Sequence, residues 1–176
     1  MHTYIALLRG INVSGQKKIK MAELRQLLVN VGLQQVQTYL QIGNVVFMSE
    51  ATATDAARQI EYSIQQNYGY AVQIMVKTPA DFQQIVADNP FADEDTKLLY
   101  VTFLAETHAA DRLKILQSTD YSPEAFVLKR KVIYVLAANG YGRAKLNNNL
   151  LEQKLRVTAT TRNYKTVNAL LETSRE

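Results

Sequence analysis

The stretch Val36-Gln37-Thr38-Tyr39-Leu40-Gln41-Ile42-Gly43-Asn44-Val45-Val46-Phe47-Met48 decides how the rest of the chain is read. Val36–Leu40 and Val45–Met48 are rich in β-branched and aromatic residues, and Ile42-Gly43-Asn44 places tight-turn residues between them. The segment therefore reads as a hairpin. On its N-terminal side, Ile19, Met21, Leu24, Leu27, Leu28 and Val31 recur at helical spacing, with Gly32 where a C-cap glycine belongs. Before that helix lie a polar, glycine-punctuated loop, Arg9–Lys18, and an apolar strand, Met1–Leu8. On the C-terminal side, Thr54 or Asp55 is placed to cap a second helix ending near Tyr68-Gly69. Ala71–Val76 follows as a strand. Thr78-Pro79-Ala80-Asp81 then opens a third helix with proline in its first turn, and Asn89-Pro90-Phe91 breaks the pattern.

The same order recurs. Leu98–Leu104 reads as a strand and Ala109–Gln117 as a helix started near Thr107 or His108. Ala125–Leu128 and Val132–Ala137 bracket a Lys129-Arg130-Lys131 turn, and a loop at Asn139-Gly140-Tyr141-Gly142 leads to a helix over Leu146–Leu155. Val157–Thr161 is the last strand and Asn163–Glu172 the closing helix. Each pass fits a split βαβ unit with helices on one face of an antiparallel sheet. The expected fold is α+β: two tandem ferredoxin-like βαββαβ halves, each with an extra trailing helix, over residues 1–90 and 91–176. The halves share element order but no residue-level identity, and one mixed sheet shared by both is the alternative arrangement.

Composition narrows the function classes. The chain has 176 residues, 47% hydrophobic and 20% charged, an ordinary globular balance that argues against disorder. There is no cysteine, which excludes disulfides, thiol nucleophiles and thiolate metal sites. Apolar runs are strand-sized and the N-terminus lacks a basic n-region, so it reads as a strand rather than a signal peptide. The expectation is a cytoplasmic protein with no membrane partner. The net charge of +4 divides into +1 before Pro90 and +3 after it. This mild excess permits a phosphate-bearing partner without requiring one.

Two loops carry candidate chemistry. Arg9-Gly10-Ile11-Asn12-Val13-Ser14-Gly15-Gln16-Lys17-Lys18 joins a strand to a helix, where backbone N–H groups and a helix N-terminus can hold an anion, with Arg9, Lys17, Lys18 or Lys20 adding charge. It matches neither the P-loop nor the dinucleotide glycine pattern. The competing reading is a tight loop shaped by its glycines and braced by Arg9 and Asn12. Thr160-Thr161-Arg162-Asn163-Tyr164 is also a strand-to-helix junction. There Thr161 or Asn163 can cap the helix, and Arg162 is either a buried structural cation or an exposed one beside Tyr164, suited to phosphate or base stacking. Arg9, Asn12, Lys20, Asn44, Arg162, Asn163 and Tyr164 form the candidate ligand set, expected to converge in a cleft between the halves.

Tyr141-Gly142-Arg143-Ala144-Lys145 reads as the opening of a helix with a solvated basic face, and Lys129-Arg130-Lys131 as a solubilising turn. His2 and His108 have no visible partner for a zinc site or a catalytic triad, and Asp93-Glu94-Asp95 reads as an exposed linker. No cofactor or metal is implied. Three readings of function remain open: a module binding an anionic small molecule or nucleic acid, an enzyme on a phosphorylated or carboxylated substrate without a covalent nucleophile, and a homodimerising interaction protein.

Several of these segments also resemble a known family. Leu7-Leu8-Arg9-Gly10-Ile11-Asn12-Val13, Ile19-Lys20-Met21-Ala22-Glu23-Leu24, Thr38-Tyr39 with Gly43-Asn44-Val45-Val46-Phe47, and Thr160-Thr161-Arg162-Asn163 with Thr166-Val167 resemble the bacterial domain of unknown function 1697 in order and combination. The resemblance implies a cytoplasmic bacterial protein of two ferredoxin-like subdomains, and no activity. This chain departs from the family pattern in having Ile42 for serine, Tyr164 for tryptophan, and Ser14-Gly15 for Gly-Gly. A site built on that serine hydroxyl would be lost here, whereas Tyr164 keeps a flat aromatic surface.

Overall fold

The structure, a computed structural model, describes residues 1–176. Eight strands and six helices follow in the order β1 His2–Leu8, α1 Met21–Asn30, β2 Gln34–Tyr39, β3 Asn44–Ser49, α2 Ala53–Tyr68, β4 Ile74–Lys77, α3 Pro79–Ala87, β5 Leu99–Leu104, α4 Ala110–Gln117, β6 Ala125–Lys129, β7 Val132–Leu136, α5 Asn148–Leu155, β8 Ala159–Asn163 and α6 Tyr164–Thr173. The strands form two separate four-stranded sheets, ordered β2-β3-β1-β4 and β6-β7-β5-β8, with every pairing antiparallel. This is the ferredoxin-like order twice over, each time followed by one more helix, and a single shared sheet is ruled out.

The chain divides into two compact units, Met1–Gln83 with Ala169–Glu176, and Gln84–Asn168. The division falls inside α3 rather than at Pro90. Its physical basis in the second unit is a set of side-chain bonds to the end of α3. The Tyr134 hydroxyl donates to Ile85 O at 2.6 Å and the Lys129 ammonium to Asp88 O at 2.6 Å. Burial of Tyr134 pushes its hydroxyl well above the usual tyrosine range, which keeps it a donor.

In the first unit, Tyr4, Ala6 and Leu8 of β1 and Val45 and Phe47 of β3 face Leu24 and Leu28 of α1 and Ala56, Ile60 and Ile64 of α2. These positions follow period 2 on the strands and 3.6 on the helices, so each element presents one continuous apolar face. The opposite face of β1, Ile5 and Leu7, is fully buried as well. The unbroken run Ile5-Ala6-Leu7-Leu8 is the sequence of a strand with no solvated side. In the second unit, Leu104, Ile133, Val135 and Ala159 pack with Leu116 of α4 and Leu151 and Leu155 of α5. Val101, Phe103 and Tyr134, on the other face, are also buried.

Local signals account for most element ends. Gly32 takes φ +97 after α1, and Gly69 takes φ +71 as the C-cap of α2. Thr78 caps α3 by accepting from Asp81 N–H, while the Asp81 carboxylate accepts from Thr78 N–H. The cap of α2 is Thr52, not Thr54 or Asp55. Asp55 is instead the third helical residue, donating its N–H to Thr52 Oγ1 and accepting the Thr52 hydroxyl, so the pair satisfies an end that either residue suggests alone. Tyr141–Arg143 is a single 3-10 turn and does not open a helix; α5 begins at Asn148, because Asn147 supplies the cap to Leu150 N–H.

Candidate functional site

Each candidate residue has a definite place. Arg9 follows β1 directly, its N–H bound to Gln73 O, and its half-buried side chain lines a cavity of about 600 Å3 with Glu61, Tyr62, Gln65 and Gln73. The Glu61 carboxylate in that wall accepts from Ile74 N–H at 3.0 Å. Asn12 adopts φ +56 and spends its amide inside the first unit. Its Nδ2 donates to Ile19 O and Gln41 O, and its Oδ1 accepts from Ile19 N–H. One side chain thus ties the 9–18 loop both to the start of α1 and to the β2–β3 turn. Asn44 is fully buried and donates to Tyr39 O, and Lys20 is solvated with a loose pairing to Glu23 at 3.6 Å.

In the second unit, Arg162 lies within β8 and is 5% exposed, which settles its two sequence readings for the buried cation. Its Nη1 donates to Thr160 Oγ1 at 2.7 Å and Thr161 O at 3.0 Å, and burial pulls the guanidinium down to about 10. Its place in the repeat differs from that of Arg9: β5 is the counterpart of β1, and the residue after β5 is Ala105. Asn163 caps α6, its Oδ1 accepting from Thr166 N–H at 2.8 Å. Tyr164, the first residue of α6, is 8% exposed, with its hydroxyl 3.5 Å from Val86 O.

Asn163 and Tyr164 meet at a second cavity of about 600 Å3, closed by Thr96, Lys97, Tyr100, Lys165 and Asn168. Sequence reasoning missed Thr96, Lys97 and Tyr100 because they lie more than 60 residues from Asn163 in the chain, and Lys165 and Asn168 because they carry no motif of their own. The register explains their meeting: Tyr100 sits opposite Asn163 across β5 and β8, so the start of β5 and the exit of β8 share one end of the sheet. Lys97 and Lys165 are exposed, and neither makes an ion pair within the chain. Lys165 stands in the first turn of α6, which holds no acidic residue. A cation at the positive end of a helix dipole is an unfavourable placement that an anion would relieve. No group of three or more histidine or acidic side chains is arranged to hold a metal ion.

The family model described as "Protein of unknown function (DUF1697)" matches residues 1–134. The chain belongs to this family. Among solved structures, this DUF1697 chain is similar to the conserved bacterial protein SP0830 from Streptococcus pneumoniae, at 25% identity and a TM-score of 0.80, over 100% of this chain and 99% of that one. No curated protein matches it. No helix is long and apolar enough to cross a membrane. Of the residues carrying the family resemblance, Gly43 has the clearest physical reason. It takes φ +80, its carbonyl accepts from Leu8 N–H at 2.8 Å, and a Cβ there would lie 2.7 Å from Leu8 Cβ.

Proposed function

We propose that this protein binds a small phosphate-bearing ligand in the second-unit cavity, held by Lys97, Lys165 and Asn163 at the start of α6. The observation that carries this reading is the charge make-up of the cavity: two unpaired lysines and no carboxylate line it. The Arg9 cavity is the poorer candidate, because Glu61 contributes a carboxylate to the same wall. A small ligand suits the site better than a nucleic acid. Asp93, Glu94 and Asp95 immediately precede the Thr96 wall and are exposed, so the positive field is confined to the cavity instead of extending as a stripe.

Calorimetric titration with ribose 5-phosphate tests the reading. Two exposed charge contacts of about 0.5–1 kcal/mol each make the Lys97→Ala/Lys165→Ala double variant roughly tenfold weaker. Affinity of the unmodified chain should also fall as salt rises from about 0.1 M to 1 M and the screening length shrinks from roughly 10 to 3 Å. Equal affinity in the double variant, or no binding at millimolar ligand, overturns the proposal.

A further inference from the structure

We infer that the ligand of this cavity carries a planar ring beside its phosphate, as a mononucleotide does, and that Tyr100 is the surface on which the ring stacks; the inference rests on the phosphate-binding reading above. The Tyr100 and Tyr141 rings lie 4.3 Å apart at 25°. Tyr100 lines the cavity and Tyr141 does not, so Tyr141 backs it, and Tyr100 also packs against the core of the second unit. The backing ring is itself anchored, since its hydroxyl accepts from Asn148 N–H at 2.9 Å where α5 begins. Tyr100 is in turn held in β5 opposite Asn163. A ring fixed in this way offers contact area with little ordering cost on binding.

The polar groups around it suit the edge of a heterocycle. Asn163 uses its Oδ1 on Thr166 N–H, which leaves its Nδ2 as a donor. Asn168 uses its Nδ2 on Tyr164 O, which leaves its Oδ1 as an acceptor. One amide donor and one amide acceptor therefore border the same cavity as the two lysines. A volume of about 600 Å3 lies within the usual range for such ligands, roughly 300–1,000 Å3.

The test compares AMP with ribose 5-phosphate on the full chain, by calorimetry. A stacked base is worth about a tenfold gain or more, so AMP should bind at least tenfold more tightly. Tyr100→Leu should abolish that advantage, so that AMP and ribose 5-phosphate bind alike, and Tyr141→Phe should reduce it only in part. Equal binding of the two ligands, both weakened in the Lys97→Ala/Lys165→Ala variant, would overturn the stacking inference and leave the phosphate reading standing. Failure of both ligands to bind would overturn both. If Tyr100→Leu does not fold, the comparison on the unmodified chain decides alone.

Discussion

Two glycines separate backbone strain from crowding at the scale of single residues. Gly10 and Gly43 both have positive φ, at +74 and +80, but an added Cβ meets nothing within 4 Å at Gly10 and lies 2.7 Å from Leu8 Cβ at Gly43. Gly10→Ala should therefore cost only the left-handed backbone penalty, about 1–2 kcal/mol. Gly43→Ala adds overpacking against two fully buried side chains, Leu8 and Ile11, for a total of roughly 2–4 kcal/mol. Denaturant midpoints of the two variants, at unchanged slope, measure the difference. Equal losses would mean that the β2–β3 turn moves aside. Arg162 makes the complementary point. Its type and neighbours in sequence fit a solvated phosphate binder as well as a buried cation, and only its burial within β8 separates the two.

Caps decide where elements start, and α2 shows how one can be misread by two residues. Thr52, Thr54 and Asp55 are all competent caps by residue type, yet only Thr52 has the extended backbone and the accepting geometry toward Asp55 N–H. Thr52→Ala is expected to cost about 1 kcal/mol. In a chain of this size that lowers the melting temperature by roughly 2–4 °C. Exposed Thr54→Ala should be close to neutral, and a larger loss there than at Thr52 would contradict the assignment. The α5 start follows the same rule: Asn147 accepts from Leu150 N–H as the cap, and the Tyr141 hydroxyl reaches across to accept from Asn148 N–H.

The whole-molecule charge speaks to nucleic acid. A net +4 that is nearly balanced in each half, with three carboxylates beside the lysine-lined cavity, gives no broad positive surface. Gel-shift assays with single-stranded oligonucleotides at about 0.1 M salt should show no stable complex. Any weak binding through Lys97 and Lys165 would have a log–log salt slope of about −1.4, from two phosphates at roughly 0.7 each. A slope several units steeper would reveal a basic face elsewhere on the molecule and count against a small-ligand role.

By itself the sequence determined the fold class, the repeat of element order and nearly every element, because strand and helix periods, glycine C-caps and proline at a first helical turn act through neighbours a few residues away. The hairpin at Val36–Met48 was legible for that reason, as was a cap at Thr161 or Asn163, of which the structure uses Asn163. What only the tertiary structure decided was which side chains share a cavity. Lys97 and Tyr100 meet Asn163 and Lys165 through the β5–β8 register, a pairing set by the alternation of buried faces over the whole sheet. Nothing in either short segment encodes the other's distance. Asn12 was read both as a loop brace and as a ligand contact, and its three side-chain hydrogen bonds, to Ile19 and Gln41, tie the loop to the start of α1 and to the β2–β3 turn only once the chain has closed around it.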